Sequence, residues 1–319
     1  MRRPVSGVAL SNFVHGLALA ATDDDVLDIV MAFLEDGLAA GEPVLASIGN
    51  PVSPALRAAL DHRAGLDIVE AASPVTTLDR VQEYVADQIA AGAERVRVVH
   101  LPATAVGAAR WEERCRCEAV SNVLLGGLPV LALCVYATTD SAGTRLADLL
   151  RTHPTVPGPD GGTNRSYQPP ERFLAERLAA YHEPADDPPA LAEITDPTPA
   201  VTRAMVRPLI ANGPLDDQAA ADLLVATSEV VTNALVHGRP PVTVQIRCSP
   251  GGVTITVHDR GTGPSDPLAG FQRPDAAQNP GGLGLWLARR LSSLVEWRDE
   301  IGYSVRLHAE TAEGDAPAI

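Results

Sequence analysis

The stretch Ser228-Glu229-Val230-Val231-Thr232-Asn233-Ala234-Leu235-Val236-His237-Gly238, SEVVTNALVHG, decides how the C-terminal third of the chain is read. It closes a longer run from Asp216 whose acidic start, apolar periodicity and terminal glycine predict one long helix. Within that helix Glu229, Asn233 and His237 stand at i, i+4 and i+8, so a carboxylate, an amide and an imidazole share one slowly drifting stripe. By itself a polar stripe four residues apart usually means a solvated face. Its neighbours in the sequence give it a second meaning.

Downstream, the alternating run VTITVH leads straight into Asp259-Arg260-Gly261-Thr262-Gly263. That order puts a carboxylate at a strand end beside two glycines, where the backbone can come close to a ligand. GGLGL, Gly281 to Leu285, then opens a helix whose free N–H groups can receive phosphate. Each glycine motif alone is a turn or a helix start, whereas their order and separation together are specific. Around them the pattern is two helices, a hairpin about a Pro-Gly-Gly turn, a long glycine-bounded loop, another helix and more strands, an α+β sandwich.

These segments resemble the Bergerat, or GHKL, ATP-binding fold over about residues 198–310: SEVVTNALVHG its N box, DRGTG its first glycine box and GGLGL its second. Within that superfamily the chain is most similar to the anti-sigma-factor serine kinases, regulators that hold a sigma factor and phosphorylate an antagonist. The resemblance implies ATP and Mg2+ as cofactors, Asn233 as the Mg2+ ligand and Asp259 as acceptor for the adenine amino group. It implies Gly261 and Gly263 as the loop beneath the base, with Gly282 and Gly284 abutting the phosphates and Leu283 and Leu285 completing that turn. Glu229 would be the base that takes the acceptor serine's proton. His237 either contacts nucleotide or packs at the helix end. Residues 260–280 would form the lid, rich in Gly and Pro. The last strand reads IGYSVRL where relatives usually carry Gly-Thr, so a hydroxyl contact to adenine would fall to Ser304. Implied partners are a sigma factor and an anti-anti-sigma antagonist protein, with homodimerisation through the ATP domain.

Two other readings use the same motifs. ATP could order a module that sequesters a partner without phosphotransfer. Alternatively, the chain could be an orphan sensor histidine kinase, which needs a phospho-accepting His on an upstream helical hairpin. The candidate, His182 in AAYHEP, is followed by Pro184, Pro188 and Pro189, which leave no second helix before the ATP domain.

Composition narrows the field. The 319-residue chain carries a formal charge of −15, and all of its 25 basic residues are arginine. Without lysine there is no GxxxxGK[ST] phosphate loop, no Schiff-base lysine and no strand lysine of the eukaryotic protein kinases. An isoelectric point near 4.9 argues against direct nucleic-acid or anionic-membrane binding. Cys115, Cys117, Cys134 and Cys248 form neither a CxxC pair nor a spaced framework, which favours a reducing cytoplasm over a disulfide-stapled secreted fold. Two stretches mimic membrane signals. The N-terminal run beginning MRRPVSG is interrupted by Ser11, Asn12, His15 and Gly16, unlike a secretory signal. The uncharged stretch Ala119 to Thr139 divides into a helix end, a GGLP turn and a buried strand.

From His15 to about Pro157, strand-like runs alternate with helical ones, which predicts a parallel sheet covered on both faces, an α/β three-layer domain. HGLALAATDDDVLDIVMAFLEDGLAAGEPVLASIGN, with the downstream helix WEERCRCEAVSN, resembles the MEDS sensory domain, a degenerate relative of RecA and KaiC ATPases. The resemblance covers residues 10–157. Where an active relative would carry a phosphate loop, SIGNPVSPALRAAL has none, implying loss of nucleotide hydrolysis in this half. His15, His100, Trp111, Glu112, Glu118 and Asn122 are candidate pocket residues for an unknown small-molecule or redox signal, against the alternative that they cap, pair or face solvent. The cysteines of this half read as inert buried thiols. Residues 158–198, turn-rich and then Pro-acid, read as a linker with one short helix, and residues 199–310 as the ATP-binding kinase domain.

Overall fold

The computed structural model describes residues 13–311 except 50–51, 72, 104–105, 139–142, 157–161, 181–187, 212, 265, 267, 274–282 and 300–301. The chain forms two compact units. One comprises Met1–Ala72, Thr77–Thr104 and Glu118–Pro170, the other Ser73–Thr76, Ala105–Cys117 and Glu171–Ile319.

The first unit is built on the strands β1 (Val14–Ala20), β2 (Val44–Ile48), β3 (Leu66–Glu70), β4 (Val96–Leu101) and β5 (Val130–Ala137). They lie in the order β1-β5-β4-β2-β3, and every pair is parallel. Parallel neighbours need crossovers, and the helices α1 (Asp23–Ala39), α2 (Pro54–Asp61), α3 (Pro74–Ala90) and α4 (Ala108–Leu124) supply them. The central strand β2 is buried at all five positions. Its Val44, Ala46 and Ile48 join Val30, Leu34, Leu56 and Leu60 on one face, while Leu45 turns to Val81, Val85 and Leu125 on the other. This is the three-layer α/β arrangement expected from the sequence, with a strand hydrophobic on both sides because both sides are covered. The uncharged stretch at 119–139 resolves as anticipated into the end of α4, a turn and β5. After α5 (Thr144–Thr152), the chain returns to β1: Thr155 N–H donates to His15 O, and Leu17 N–H donates to Thr155 O.

The second unit's sheet contains β6 (Ala192–Thr195), β7 (Thr243–Ser249), β8 (Gly252–Asp259), β9 (Leu294–Asp299) and β10 (Tyr303–Glu310). Its order is β6-β7-β8-β10-β9, with every pair antiparallel. Also in this unit are α6 (Pro170–Ala180), α7 (Pro199–Ala211), α8 (Asp217–His237) and α9 (Leu283–Arg290). Leu223, Ala226, Val230 and Val231 of α8 form one core with Val244 and Ile246 of β7, Ile255 and Val257 of β8 and Leu307 of β10. This is an α/β sandwich of the GHKL type. By length and composition α8 could cross a membrane, but its Leu223, Ala226, Val230 and Val231 are packed into this core.

The segment read as linker holds more order than its composition predicts. Besides the expected helix, α6, it contains the strand β6, which pairs with β7 from Ala192↔Ile246 to Thr195↔Thr243. Four residues are too few to show an alternation in a Pro-acid stretch, and pairing along the backbone of β7 supplies what the side chains lack.

Helix α1 begins with a reciprocal cap. Thr22 Oγ1 accepts from Asp25 N–H at 3.1 Å, and Asp25 Oδ2 accepts from Thr22 N–H at 2.9 Å. Thr22→Ala is therefore expected to lower the stability of the first unit by about 1 kcal/mol, read as a shifted urea midpoint with unchanged slope.

Candidate functional site

In the second unit, α8, the ends of β8 and β10, the turn after β8 and the start of α9 surround a cavity of about 380 Å³. Val230, Asn233, Ala234 and His237 line it from α8, Val257 and Asp259 from β8, Tyr303 and Val305 from β10, and Leu285 from α9. Sheet register explains the floor. Tyr303 pairs with Asp259 and Val305 with Val257, so these four side chains share one face. The result is an apolar platform with a carboxylate at one end, a shape suited to a flat heteroaromatic ring with an exocyclic donor.

Asp259 is buried, 3% exposed, and its orientation is set by backbone. Oδ1 accepts from Arg239 N–H at 3.1 Å and from Gly261 N–H at 2.5 Å. A Cβ on Gly261 would stand 2.7 Å from that oxygen, so only glycine lets the turn wrap the carboxylate this closely. Gly263 has φ +63°, and a Cβ there would run into the ring of Tyr303. Tyr303 itself is buried, its hydroxyl has no hydrogen-bond partner among the described residues, and burial pushes its pKa up.

On the opposite wall Asn233 meets the first turn of α9. A Cβ on Gly284 would lie 2.6 Å from Asn233 Nδ2, so the missing side chain is what brings the helix start and the amide together. Glu229, half-buried, stands one turn before Asn233 on α8. Leu283 is the first residue of α9 and Leu285 lines the cavity. Gly282 lies outside the described residues. His237 is exposed and faces the cavity, which favours contact with a ligand over packing at the helix end.

Two expectations change. Ser304, anticipated as a hydroxyl contact for the base, lies between Tyr303 and Val305 on β10, so its side chain is on the other face of the sheet. There it hydrogen-bonds His258 Nδ1 at 2.8 Å. The hydroxyl-bearing residues that do line the cavity are Thr262 and Tyr303. The segment 260–280, expected as a mobile lid, is held at Phe271 among its described residues. Phe271 is 1% exposed under the Arg289 guanidinium, 3.8 Å from the ring centroid, and Arg289 Nε donates to Ala269 O.

In the first unit, His15, Glu118 and Asn122 come together. His15 Nε2 is 3.3 Å from Glu118 Oε2, and Nδ1 is 3.1 Å from Asn122 Oδ1. Cys134 and His153, which the sequence did not single out for this role, complete the group. His100 bonds Ser47 Oγ at 3.0 Å. Trp111 and Glu112 are not in that group. They fall in the part of α4 that belongs to the second unit, where Glu112 pairs with Arg116 and Arg177.

A buried carboxylate at the end of an apolar platform, with glycines on two sides and an Asn–Glu stripe on a core helix, defines a nucleotide-binding sandwich of the GHKL class. Comparison with family models agrees with this and divides the chain in the same order. Residues 14–154 match MEDS, the methanogen/methylotroph, DcmR sensory domain, and residues 195–308 match the histidine kinase-like ATPase domain. The chain is thus a MEDS sensory domain followed by a histidine kinase-like ATPase domain. No curated protein matches it closely.

Gly263→Ala should strain the turn and displace Tyr303. It is expected to abolish the thermal shift produced by adenine nucleotides while the first unit's unfolding transition stays in place, both read by scanning calorimetry.

Proposed function

We propose that the protein is a cytoplasmic signal-responsive regulator whose C-terminal domain uses Mg-ATP to phosphorylate a serine of an antagonist protein, and that it acts as an anti-sigma factor. The observation that carries this reading is the placement of Glu229 on α8 one turn before Asn233, which lines the same cavity as Asp259. The residues present suit the substrate. The fixed Asp259 carboxylate is an acceptor for the base's amino group, Val257 and Val305 form the apolar floor, and the glycine turns leave room for close backbone approach. Asn233, whose amide abuts the start of α9, would hold Mg2+, which neutralises charge on the phosphates.

Phosphoryl transfer needs positioning and charge neutralisation more than covalent help from the protein. Free N–H groups at the start of α9 serve the phosphates in a chain without lysine. The acceptor serine's oxygen bonds to the γ-phosphorus as the bond to the departing ADP oxygen breaks, and the serine proton passes to the Glu229 carboxylate. Val201 and Met205 on α7 and Val225, Leu235 and Val236 on α8 are exposed apolar side chains, which supports a protein rather than a small molecule as the partner. None of the four cysteines, all of them described, is in a disulfide, consistent with a reducing compartment.

Glu229→Ala is expected to cut phosphoserine formation on the antagonist by roughly 100-fold or more, while the thermal shift with Mg-ATP stays at the wild-type value. Asn233→Ala should remove the Mg2+-dependent part of that shift. Transfer by Glu229→Ala at the wild-type rate would sink the kinase assignment. If wild type holds nucleotide and sigma factor but modifies no partner, the binding-module reading takes its place.

A further inference from the structure

We propose that the first unit holds a divalent transition-metal ion, zinc by its ligand chemistry, between His15 Nε2, His153 Nε2, Glu118 Oε2 and Cys134 Sγ. This site is independent of the ATP cavity and of whether the C-terminal domain transfers phosphate.

The four groups come from four different places in the fold. His15 is on β1, Cys134 on β5, Glu118 on α4, and His153 is the residue that follows α5. Register puts two of them on one face: His15 pairs with Ala132 and Leu17 with Cys134, so the two side chains are on the same side of the sheet. All four are buried, none more than 6% exposed. Their ligand atoms lie within 4.8 Å of one another. Individual separations are 3.3 Å for His15 Nε2 to Glu118 Oε2 and 3.4 Å for His15 Nε2 to Cys134 Sγ. Those from Glu118 Oε2 to Cys134 Sγ and to His153 Nε2 are both 3.6 Å. A tetrahedral ion with bonds of about 2.0–2.3 Å to N, O and S holds its ligand atoms roughly 3.3–3.8 Å apart. The four contacts fall inside that window.

The surrounding hydrogen bonds decide which nitrogens carry protons. Asn122 Nδ2 donates to the carbonyls of Glu118, Ala119 and Thr152, which fixes its Oδ1 as the acceptor toward His15. His15 Nδ1 must therefore be the donor in the 3.1 Å bond to Asn122. His153 Nδ1 likewise donates to Leu149 O at 2.8 Å. With both Nδ1 atoms protonated, each neutral ring turns a lone pair on Nε2 toward Glu118. The His153 ring is fully buried. Its Nε2 is a fully buried nitrogen without a hydrogen-bond partner among the described residues. A proton on His15 Nε2 would answer the Glu118 carboxylate but leave the His153 lone pair unmet, whereas one cation answers all four groups.

The outer bonds match what metal-bound residues normally have. Both imidazoles donate their second N–H, to a side-chain amide and to a backbone carbonyl, and Glu118 Oε1 accepts from Tyr136 Oη at 2.7 Å. Two imidazoles, one thiolate and one carboxylate select zinc over magnesium or calcium, which favour oxygen ligands. Ligation would release the Cys134 S–H proton to solvent, since the thiolate is the ligand.

The test uses the full chain, stripped with a chelator and then titrated with ZnCl2 in competition with a chromophoric indicator, and separately reconstituted with CoCl2. The expected result is one equivalent of tightly bound zinc. The cobalt form should show the strong visible bands of tetrahedral Co2+ and a sulfur-to-cobalt charge-transfer band. Cys134→Ser should lose the charge-transfer band, and Asn122→Ala should keep it but bind roughly 10–100-fold more weakly. Cys248→Ser, in the other unit, should match wild type. The proposal is overturned if stripped wild type takes up no zinc, or if Cys134→Ser and Glu118→Gln bind it as tightly as wild type does. Because wild type alone provides the first arm, a variant that fails to fold cannot conceal a negative answer.

Discussion

In the second unit the Asp259 carboxylate ties the end of β8 to two other parts of the chain. Its Oδ1 receives N–H groups from Arg239, just past α8, and from Gly261 in the following turn. Hydrogen bonds to a carboxylate are among the stronger ones available, and burying the group raises what would be lost if either were broken. The knot closes only because Gly238 and Gly261 have no Cβ; one at Gly238 would overlap the carboxylate. Because α8 ends here, the same constraint sets the height of Asn233 and Glu229 above the sheet. The cavity is thus a by-product of how three segments are fastened.

The sheet then divides the labour between its faces. Tyr303, Val305, Val257 and Asp259 point toward the cavity, while Ser304 and His258 bond one another on the reverse. A one-residue shift of β10 would exchange the apolar platform for polar groups. Antiparallel pairing along the whole length of β8 and β10 guards against that shift, with eight paired residues from Tyr303↔Asp259 to Glu310↔Gly252.

Much of this was legible in the chain. Alternation of strands and helices before residue 157 and the glycine-bounded motifs after 228 carry both fold types, since periodicity and turn chemistry are local properties. The Glu229–Asn233 spacing was likewise local. What escaped was settled by pairing partners. The strand β6 has no pattern of its own, and Ser304 was placed by residue type when strand parity decides which way it points. Thr262, Tyr303 and Val257 become visible as a floor only once register is known. Cys134 and His153 were unremarkable because their significance comes from Glu118, which is 16 residues from one and 35 from the other along the chain but within 3.6 Å of both in the fold. Burial also misled: Cys134 is as buried as an inert core thiol, yet its neighbours are polar.

The strand edges bear on how the molecule avoids its own kind. At one end of the parallel sheet, Thr155 already occupies backbone groups of β1, and the strand at the other end is β3. That strand carries Asp67 and Glu70, engaged by Tyr84 Oη and Arg57. One edge strand of the antiparallel sheet, β6, bears Glu193, bonded to Gln245. Acidic side chains on both margins, in a molecule of net charge −15, would set like charges against each other whenever two copies tried to extend a sheet across their margins. The acidic composition that argues against nucleic acid as a partner therefore also works against fibrous self-association.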